Sequence, residues 1–474
     1  MLVLSPRTQG TTLTQWLYAE LRRAILDGRL RRGAAVPPTR SLAAAYGVSR
    51  RVVVNVFDQL REEGYLEARV GSGTRVSENV PEDYLLEAAP SVRKKHQTPG
   101  APASGALDTR TDRPVRAFNA FVPALTEFPI DLWTRLTGRC VRQASVNSLA
   151  GGDPAGALAL REAIAEYLGT WRGVACKAEQ VVITSGTQQA LDLIARLVVR
   201  PHDKVCVEDP GYLDAIDIFR LAGAKIVGVP VDEHGIDPDI GRTRCKDARA
   251  IYVTPAHQFP LASTLRLDRR LGLLRWAREQ HAVIVEDDYD SEFRFSGRPI
   301  PPIRGLAGAD DVFLLGTFSK TLFPALRLGY IVVPDAWREP MVKLRRRIER
   351  YPPALPQAVL ALFLSEGHFA RHMRRMRELY GTRLACLRAN VERHLHGVLK
   401  LTDMESGLNA PAILLNGMTS DEASTRARKR ELEVWPLSRY CISRDDVHGL
   451  LLGFAAFNER EIRKGVIELA HALE

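Results

Sequence analysis

A chain of 474 residues, of which 45% are hydrophobic, is long enough to form more than one domain with a buried core. Its six cysteines are scattered and lack the spacing of a metal site or a secreted disulfide framework, so we expect reduced thiols and no metal. The formal net charge is +10, and without an apolar leader or a run of membrane-spanning length the chain is expected to be cytoplasmic rather than secreted or membrane-bound.

Residues 12–76 have the pattern of a winged helix-turn-helix. An apolar residue recurs every four positions along a first helix that is predicted to end near Asp27-Gly28: Leu13, Leu17, Leu21 and Ile25. Thr39 is expected to cap a second helix that buries Leu42 and Ala43 and ends at Gly47.

A third helix is predicted to start at Ser49, which can cap it, and to present Arg50 and Arg51 in its first turn. Its inward face would be Val53, Val56, Phe57 and Leu60. Two strands are expected next, Tyr65–Val70 and Thr74–Val76, joined by a Gly71-Ser72-Gly73 turn that would form the wing.

The net charge of this region favours nucleic acid as a binding partner. Residues 1–80 contain 12 Arg and no Lys against 7 Asp plus Glu, a surplus of +5 and half of the net charge of the chain. Arginine suits bidentate contact with phosphate and guanine. The alternative is a small helical cap with a solvated charged face, and the position of the arginines on a helix-turn-helix pattern favours DNA.

The next region, from about Ser77 to Arg116, lacks hydrophobic periodicity and reads as a linker. The predicted domains are therefore residues 1–80, a linker over 81–116, and an effector domain over 117–474. In that last part short apolar runs alternate with amphipathic helices, which predicts an α/β fold with a mainly parallel sheet. The predicted strands are Val181–Thr184, Lys204–Val207, Ala250–Val253, Ala282–Val285 and Val312–Leu315.

The segment after the last of these strands is the most informative for chemistry. Lys320, in Gly316-Thr317-Phe318-Ser319-Lys320, is placed to form an imine, and Arg327 follows where it can clamp a phosphate. Pyridoxal 5′-phosphate (PLP) requires both groups. The alternative for any single lysine is a solvated surface charge.

Two further strand ends are suited to the same cofactor, because ligands of such sheets bind at the carboxyl ends of the strands. The Thr184–Gln189 segment opens a helix whose free N–H groups can cradle phosphate. The Glu286–Asp290 segment supplies carboxylates, one of which can pair with the ring nitrogen. An ordinary strand-to-helix turn and a solvated acidic cluster are the respective alternatives.

Three isolated residues carry weaker signals. Tyr212 can stack on the ring, although a lone aromatic side chain more often packs in a core. His257 can donate to the phenolic oxygen of the ring, or be an ordinary surface histidine. Arg439 can bind a carboxylate, or be one of many arginines.

Together these motifs, above all Glu286-Asp287-Asp288-Tyr289-Asp290-Ser291-Glu292-Phe293-Arg294 and Gly316–Tyr330, resemble the MocR-type regulators over nearly the whole chain. That family, a subgroup of the GntR superfamily, joins a winged helix-turn-helix to a domain similar to fold-type I aminotransferases. The resemblance implies a PLP cofactor, double-stranded promoter DNA as partner and a head-to-tail homodimer.

The resemblance also implies residue roles. Lys320 would form the internal aldimine, Asp287 would pair with the ring nitrogen, Tyr289 would contact the phenolic oxygen, and Tyr212 would stack on the ring. The phosphate would be held by Ser185, Gly186, Thr187, Thr317 and Arg327. Arg439 would bind the α-carboxylate of an effector. DNA contacts would come from Arg40, Ser49, Arg50, Arg51 and the wing at Gly71.

The chain departs from the family pattern at three places. The segment Leu149-Ala150-Gly151-Gly152-Asp153-Pro154 lacks the tyrosine that is usual just before such a Gly-Asp-Pro. In aminotransferases that tyrosine reaches the partner's phosphate, so its absence counts against efficient transamination. Val52 replaces a threonine common in the recognition helix. Leu213 and Asp214 supply no second arginine, so GABA is not assigned as the effector.

Three hypotheses follow. The first is a PLP-dependent regulator that senses an amine, an amino acid or PLP itself through Lys320. The second is a working aminotransferase with an accessory DNA-binding domain, and the third is a DNA-binding scaffold without a cofactor. Residues 12–76 have no role in the second, and the cofactor motifs have none in the third.

Overall fold

The computed structural model describes residues 4–7, 10–69, 73–78, 80, 116–146, 150–295 and 301–474. The chain divides into two compact units, Met1–Ala106 and Leu107–Glu474. The predicted linker over 81–116 lies outside the described residues except for Arg116. The predicted domain boundaries at residues 80 and 117 therefore stay predictions.

The described residues of the first unit form three helices and a two-stranded antiparallel sheet. The elements are α1 (Leu13–Leu26), α2 (Thr39–Tyr46), α3 (Arg50–Glu62), β1 (Leu66–Arg69) and β2 (Gly73–Val76). Helix α1 begins with a capping box in which Thr12 and Gln15 satisfy each other's backbone N–H groups. Gly47 ends α2 in the left-handed conformation, with φ of +64°, and this turns the chain into α3.

The core of this unit follows the predicted periodicity, with two corrections. Leu17, Leu21 and Ile25 are buried, but Leu13 is 40% exposed because it lies in the first turn of α1, beyond the packed part of the helix. Thr39 is not the cap of α2 but its first residue, since the cap position is Pro38, which has no side-chain hydrogen bond to offer. The inward face of α3 is confirmed at all four predicted positions.

The second unit is built on an eight-stranded sheet in the order β3-β10-β9-β8-β7-β4-β5-β6. Strands β9, β8, β7, β4 and β5 are parallel, whereas β10 pairs antiparallel with both β3 and β9 and β6 pairs antiparallel with β5. The bounds are β3 Val181–Thr184, β4 Lys204–Asp209, β5 Lys225–Asp232, β6 Gly235–Ile236, β7 Ala248–Val253, β8 Val283–Asp288, β9 Val312–Thr317 and β10 Gly329–Val332.

All five predicted strands are present, and the prediction of an α/β fold with a mainly parallel sheet is confirmed. Most run longer than the apolar pattern, because β4, β8 and β9 continue into the polar residues at their carboxyl ends. Those extensions carry Asp287 and Thr317. The polar residues that matter for the site therefore lie on the strands themselves and share their rigidity.

Eleven α-helices are present among the described residues of this unit. They are α4 Ile130–Gln143, α5 Leu158–Tyr167, α6 Thr187–Val198, α7 Leu213–Leu221, α8 Pro238–Arg244, α9 Leu267–Gln280, α10 Asp335–Glu349, α11 Ala354–Ser365, α12 His368–Leu395, α13 Ser420–Lys429 and α14 Glu459–Leu473. A second, antiparallel sheet has the order β11-β12-β14-β13, with β11 Leu399–Leu401, β12 Asn409–Leu414, β13 Trp435–Pro436 and β14 Gly449–Gly453. Among the described residues, no helix combines the length and apolar character needed to cross a bilayer.

Candidate cofactor site and nucleic-acid interface

The exposed face of α3 carries the strongest candidate for contact with DNA. Arg50 and Arg51 occupy its first turn, are both exposed, and make no hydrogen bond or ion pair with any residue the structure describes. The opposite face is buried at Val53 and Val56. One side of the helix therefore anchors it in the core while the other presents two uncompensated guanidinium groups, as a recognition helix requires.

The other three predicted DNA contacts differ from one another. Arg40 is exposed on α2 and is likewise unpaired within the described part of the chain. The Ser49 hydroxyl accepts a hydrogen bond from the Val52 N–H at 3.3 Å, so it first serves as the cap of α3. Gly71 lies outside the described residues, between the two strands of the wing.

The candidate cofactor site is a cavity of about 350 Å³ at the carboxyl ends of the parallel strands. Strand β8 supplies Asp287, strand β9 supplies Thr317, and the turn after β9 supplies Lys320. These residues are far apart in the sequence and meet because β8 and β9 are adjacent and parallel. The cavity is lined by Phe121, Thr187, Gln188, Tyr212, Asp214, Tyr252, Thr254, Phe259, Asp287, Tyr289, Thr317, Ser319, Lys320, Pro324 and Arg327.

The Lys320 amine is held at the edge of this cavity. Its Nζ donates a hydrogen bond to the Phe121 carbonyl at 2.9 Å and lies 5.0 Å from the centre of the Phe121 ring. Burial lowers the pKa of Lys320 to about 8, partly offset by the nearby Asp290 carboxylate. A larger fraction of the amine is therefore neutral and nucleophilic near neutral pH than on a surface lysine.

Asp287 lies on the cavity wall and is buried, with 3% of its surface exposed. Its Oδ2 accepts a hydrogen bond from the Tyr252 hydroxyl at 2.9 Å, while Oδ1 has no hydrogen-bond partner. Burial raises the pKa of Asp287 to about 7, the Tyr252 bond lowers it, and Asp288 and Asp290 raise it. A protonated heterocyclic nitrogen would pair with the free Oδ1 and stabilise the carboxylate.

The opposite end of the cavity is suited to a phosphate. Arg327 is exposed at the rim and takes a left-handed φ of +50°, and its guanidinium makes no hydrogen bond or ion pair with any described residue. Its guanidinium lies against Gly186, where the position of a Cβ would fall 3.4 Å from Nη1. Helix α6 begins one residue later with Thr187, so its free N–H groups and Arg327 converge.

Not every predicted phosphate residue is on the cavity wall. Thr187, Thr317 and Arg327 line it, whereas Ser185 and Gly186 stand just before α6 and do not. The Ser185 N–H donates to Gln189 Oε1 at 2.9 Å. The Thr317 hydroxyl accepts from the Ser319 N–H at 3.1 Å, which holds the turn that leads to Lys320.

The two tyrosines predicted for the ring both line the cavity. The Tyr212 hydroxyl bonds to Gln188 at 2.9 Å and to Asp214 at 3.0 Å, which fixes the ring against the wall. The Tyr289 hydroxyl donates to the His257 carbonyl at 2.9 Å. Each tyrosine is therefore oriented by a second polar group before any ligand is bound.

His257 is neither a surface residue nor part of the cavity wall. It is 4% exposed, and its Nδ1 lies 3.0 Å from the Asp290 carboxylate and 3.2 Å from the Tyr289 hydroxyl. The structure thus places it behind Tyr289, where it orients that side chain, and the expected direct bond to the cofactor oxygen has no support from its position.

Arg439 lies outside the cavity lining and stacks on Trp435, with Cζ 4.7 Å from the ring centre. It is exposed and makes no hydrogen bond to the described residues. Trp435 contacts Phe121 with 6.4 Å between ring centres, and Phe121 in turn borders Lys320. Phe121 and Trp435 thus form an aromatic wall, with Lys320 against one ring and Arg439 against the other.

Several cavity residues were not predicted from the sequence. Tyr252 lies inside an apolar strand, and the only signal was that a buried tyrosine hydroxyl needs a partner. Phe121 follows the linker, about two hundred positions before Lys320, and no local pattern links the two. Its backbone has a φ of +74° and its N–H donates to Asn409 Oδ1 at 2.9 Å.

These groups fit PLP. The cavity offers a nucleophilic amine, a buried carboxylate with an unpaired oxygen and an unpaired arginine beside a helix N-terminus. Each matches one functional group of that cofactor, namely its aldehyde, its ring nitrogen and its phosphate.

Each of the two units matches a known protein family. Residues 130–410 match the family described as aminotransferase class I and II, and residues 13–76 match bacterial regulatory proteins of the gntR family.

Similar proteins include both whole-length regulators and enzymes. The chain is 38% identical, over its full length and 96% of the relative, to the probable rhizopine catabolism regulatory protein MocR of Rhizobium meliloti. It is 32% identical, over its full length and 98% of the relative, to the pyridoxine biosynthesis transcriptional regulator PdxR of Corynebacterium glutamicum. Pyrococcus horikoshii kynurenine aminotransferase matches 76% of the chain and 91% of its own, with a TM-score of 0.71 and 28% identity.

Proposed function

The chain belongs to the MocR-type transcriptional regulators, in which a gntR-family helix-turn-helix precedes an aminotransferase-like, PLP-dependent domain, and we propose that it senses an amine, an amino acid or PLP through Lys320. The observation that carries the proposal is that one chain holds a half-buried, reactive lysine in a cavity and an exposed, unpaired pair of arginines on a recognition helix. Neither feature has a use without its own partner, an aldehyde cofactor in one case and DNA in the other.

PLP supplies an aldehyde that reacts reversibly with primary amines and a conjugated ring that absorbs visible light. Lys320 would hold that aldehyde, with Asp287 on the ring nitrogen and Arg327, Thr317 and the start of α6 on the phosphate. Tyr289 would meet the phenolic oxygen and Tyr212 the ring face. These roles are supported by where the structure places the side chains.

An incoming amine would compete with Lys320 for the same aldehyde. The amine of Lys320 would then be released to the Phe121 carbonyl, which lies 2.9 Å away in the present structure. A carboxylate on the effector would be drawn to Arg439, which is exposed beside the cavity. Each event changes a contact of the aromatic wall, and such a change biases transcription only if one dimer arrangement is stabilised over another.

The DNA partner would be a promoter with paired half-sites. We propose a head-to-tail homodimer, which would hold two recognition helices at a fixed spacing and favour repeats matched to that spacing. Arg50, Arg51, Arg40 and the wing at Gly71 would carry the contacts, and Ser49 would combine a DNA contact with capping.

The experiment is a fluorescence-anisotropy titration of the promoter DNA upstream of the regulated operon, with and without PLP, at several salt concentrations. The proposal expects PLP to change the specific affinity or the stoichiometry, and a candidate amine to reverse that change. In Lys320→Ala, which retains the DNA-binding unit, the specific complex should form but ignore PLP. Identical titrations with and without PLP in the unmodified protein would refute sensing.

A working aminotransferase remains the second candidate, because the cavity contains the groups that amine chemistry needs. It predicts steady conversion of an amino donor and a keto acceptor at rates typical of enzymes, about 1 to 1,000 per second. If the protein exchanged amines but did not complete multiple turnovers, the aminotransferase hypothesis would be rejected in favour of regulation. The absence of a tyrosine near Gly151 is a feature of the sequence alone, and it counts against turnover.

A further inference from the structure

A second cavity, of about 190 Å³, lies in the aminotransferase-like unit and shares no lining residue with the cofactor cavity. Five segments form its wall: the end of α5 with the turn that follows, the loop after β7, the loop after β8, the first half of α12, and the loop between β11 and β12. The lining residues are Tyr167, Trp171, Arg172, Ala256, Thr264, Ser291, Glu292, Arg294, Phe369, Ala370, Met373, Arg377 and Ser406.

One part of the wall is aromatic and apolar. The Tyr167 and Phe369 rings meet edge to face, with 5.3 Å between their centres, and Met373 lies beside them on α12. Trp171 borders the same cavity and is 50% exposed, so part of its ring is open to a ligand. A planar, apolar group would find contact on several sides here.

The polar part of the wall carries three arginines against one carboxylate, Glu292. Arg172 is ion-paired with Asp288 at 2.5 Å and lies 4.0 Å from Glu292, and Arg294 is paired with Glu405. Arg377 differs from both. It makes no hydrogen bond or ion pair with any residue in the part of the chain that the structure describes.

Arg377 is half-buried. Its Nε is buried without a hydrogen-bond partner, and the Nε of Arg294 in the same wall is in the same condition. A buried N–H without a partner costs free energy unless an anion or water meets it. Arg374, one turn earlier on α12, also lacks a partner among the described residues, but it is exposed and therefore solvated.

We propose that this cavity is a second ligand site, selective for a small aromatic carboxylate whose ring packs against Tyr167, Phe369 and Trp171 and whose carboxylate pairs with Arg377. Cavities for drug-sized ligands measure roughly 300–1,000 Å³, so a smaller one suits a single ring with a short acid group. The site is separate from Lys320, and it does not depend on the sensing role proposed for that residue.

The test is isothermal titration calorimetry of the full-length protein with phenylacetate, after PLP has been fixed on Lys320 by borohydride so that the cofactor cavity is filled. One site per chain is expected. Benzylamine, which has the same ring and the opposite charge, should not bind, and acetate should bind at least tenfold more weakly because it lacks the ring. Phenylacetate should also quench tryptophan fluorescence, and Trp171→Phe should remove that signal.

Variants separate this site from the cofactor site. Arg377→Met should lower phenylacetate affinity at least tenfold, the loss expected for one charge-assisted hydrogen bond, while Arg374→Met should leave it unchanged. Both variants should retain PLP absorbance, which shows that the unit is folded. The proposal is overturned if no heat is observed, if both variants bind equally, or if Arg439→Met abolishes binding while Arg377→Met does not, since the probe would then lie beside Lys320.

Discussion

The two units of this chain use charge in opposite ways. In the helix-turn-helix unit the charges proposed to contact DNA, Arg50 and Arg51, are exposed, and their side chains meet no partner among the described residues. In the aminotransferase-like unit the carboxylate proposed to meet the cofactor, Asp287, is buried, and burial lowers the pKa of Lys320 in the same cavity. Exposed charges attract a polyanion over a distance and are screened by salt, whereas buried charges act at contact on one small molecule and are screened little.

The largest effect is expected for Lys320→Ala. Removing the amine removes covalent attachment of PLP, so the absorbance of the bound cofactor and the borohydride-fixed adduct at this position should both be lost. DNA binding in the absence of PLP should be unchanged, because the recognition helix belongs to the other unit. Lys343→Ala, at an exposed lysine on α10, is the control and should keep both signals.

The second largest effect is expected at the buried carboxylate, Asp287. Asp287→Asn removes the charge that would meet the ring nitrogen, and PLP affinity should fall about 10- to 100-fold, the value of a hydrogen bond between charged groups. Tyr252→Phe, which removes only the 2.9 Å hydrogen bond to Asp287, should have a smaller effect. Equilibrium dialysis at two salt concentrations measures both. A loss in Asp287→Asn that changed strongly with salt would break the contrast between the units.

The matching test of the exposed charges is Arg50→Ala combined with Arg51→Ala. Each phosphate contact contributes about −0.9 to the slope of log affinity against log salt, so the slope should become shallower by about 2 if both arginines meet phosphates. Arg61→Ala is the control, because Arg61 lies at the other end of α3 in an ion pair with Asp58. An unchanged slope in the double variant would remove these arginines from the interface.

The smallest effect concerns pH. The neutral amine is the reactive form, and the pKa of Lys320 is lowered to about 8 by burial. The rate of PLP attachment should therefore rise about tenfold per unit up to pH 8 and level off above it, since the amine is then neutral. Stopped-flow absorbance measures this rate. A rate that kept rising to pH 10 would show that Lys320 behaves as an ordinary exposed lysine.

The sequence was sufficient for the first unit because its structure is local. The spacing of Leu17, Leu21 and Ile25 predicts α1, and four apolar positions predict the inward face of α3. The two errors, Leu13 as a buried residue and Thr39 as a cap, fall at helix ends, where periodicity ends and neighbouring packing decides.

For the second unit, the sequence by itself determined the α/β fold and the strand ends that carry Asp287, Thr317 and Lys320, because buried strands and the polar residues after them leave a readable pattern. Only the tertiary structure decided that Tyr252 bonds to Asp287, that His257 stands behind Tyr289, and that the Phe121 carbonyl meets Lys320. These contacts join residues 32 to 199 positions apart. Such pairings depend on strand order and loop packing, and neither is encoded in a local window of sequence.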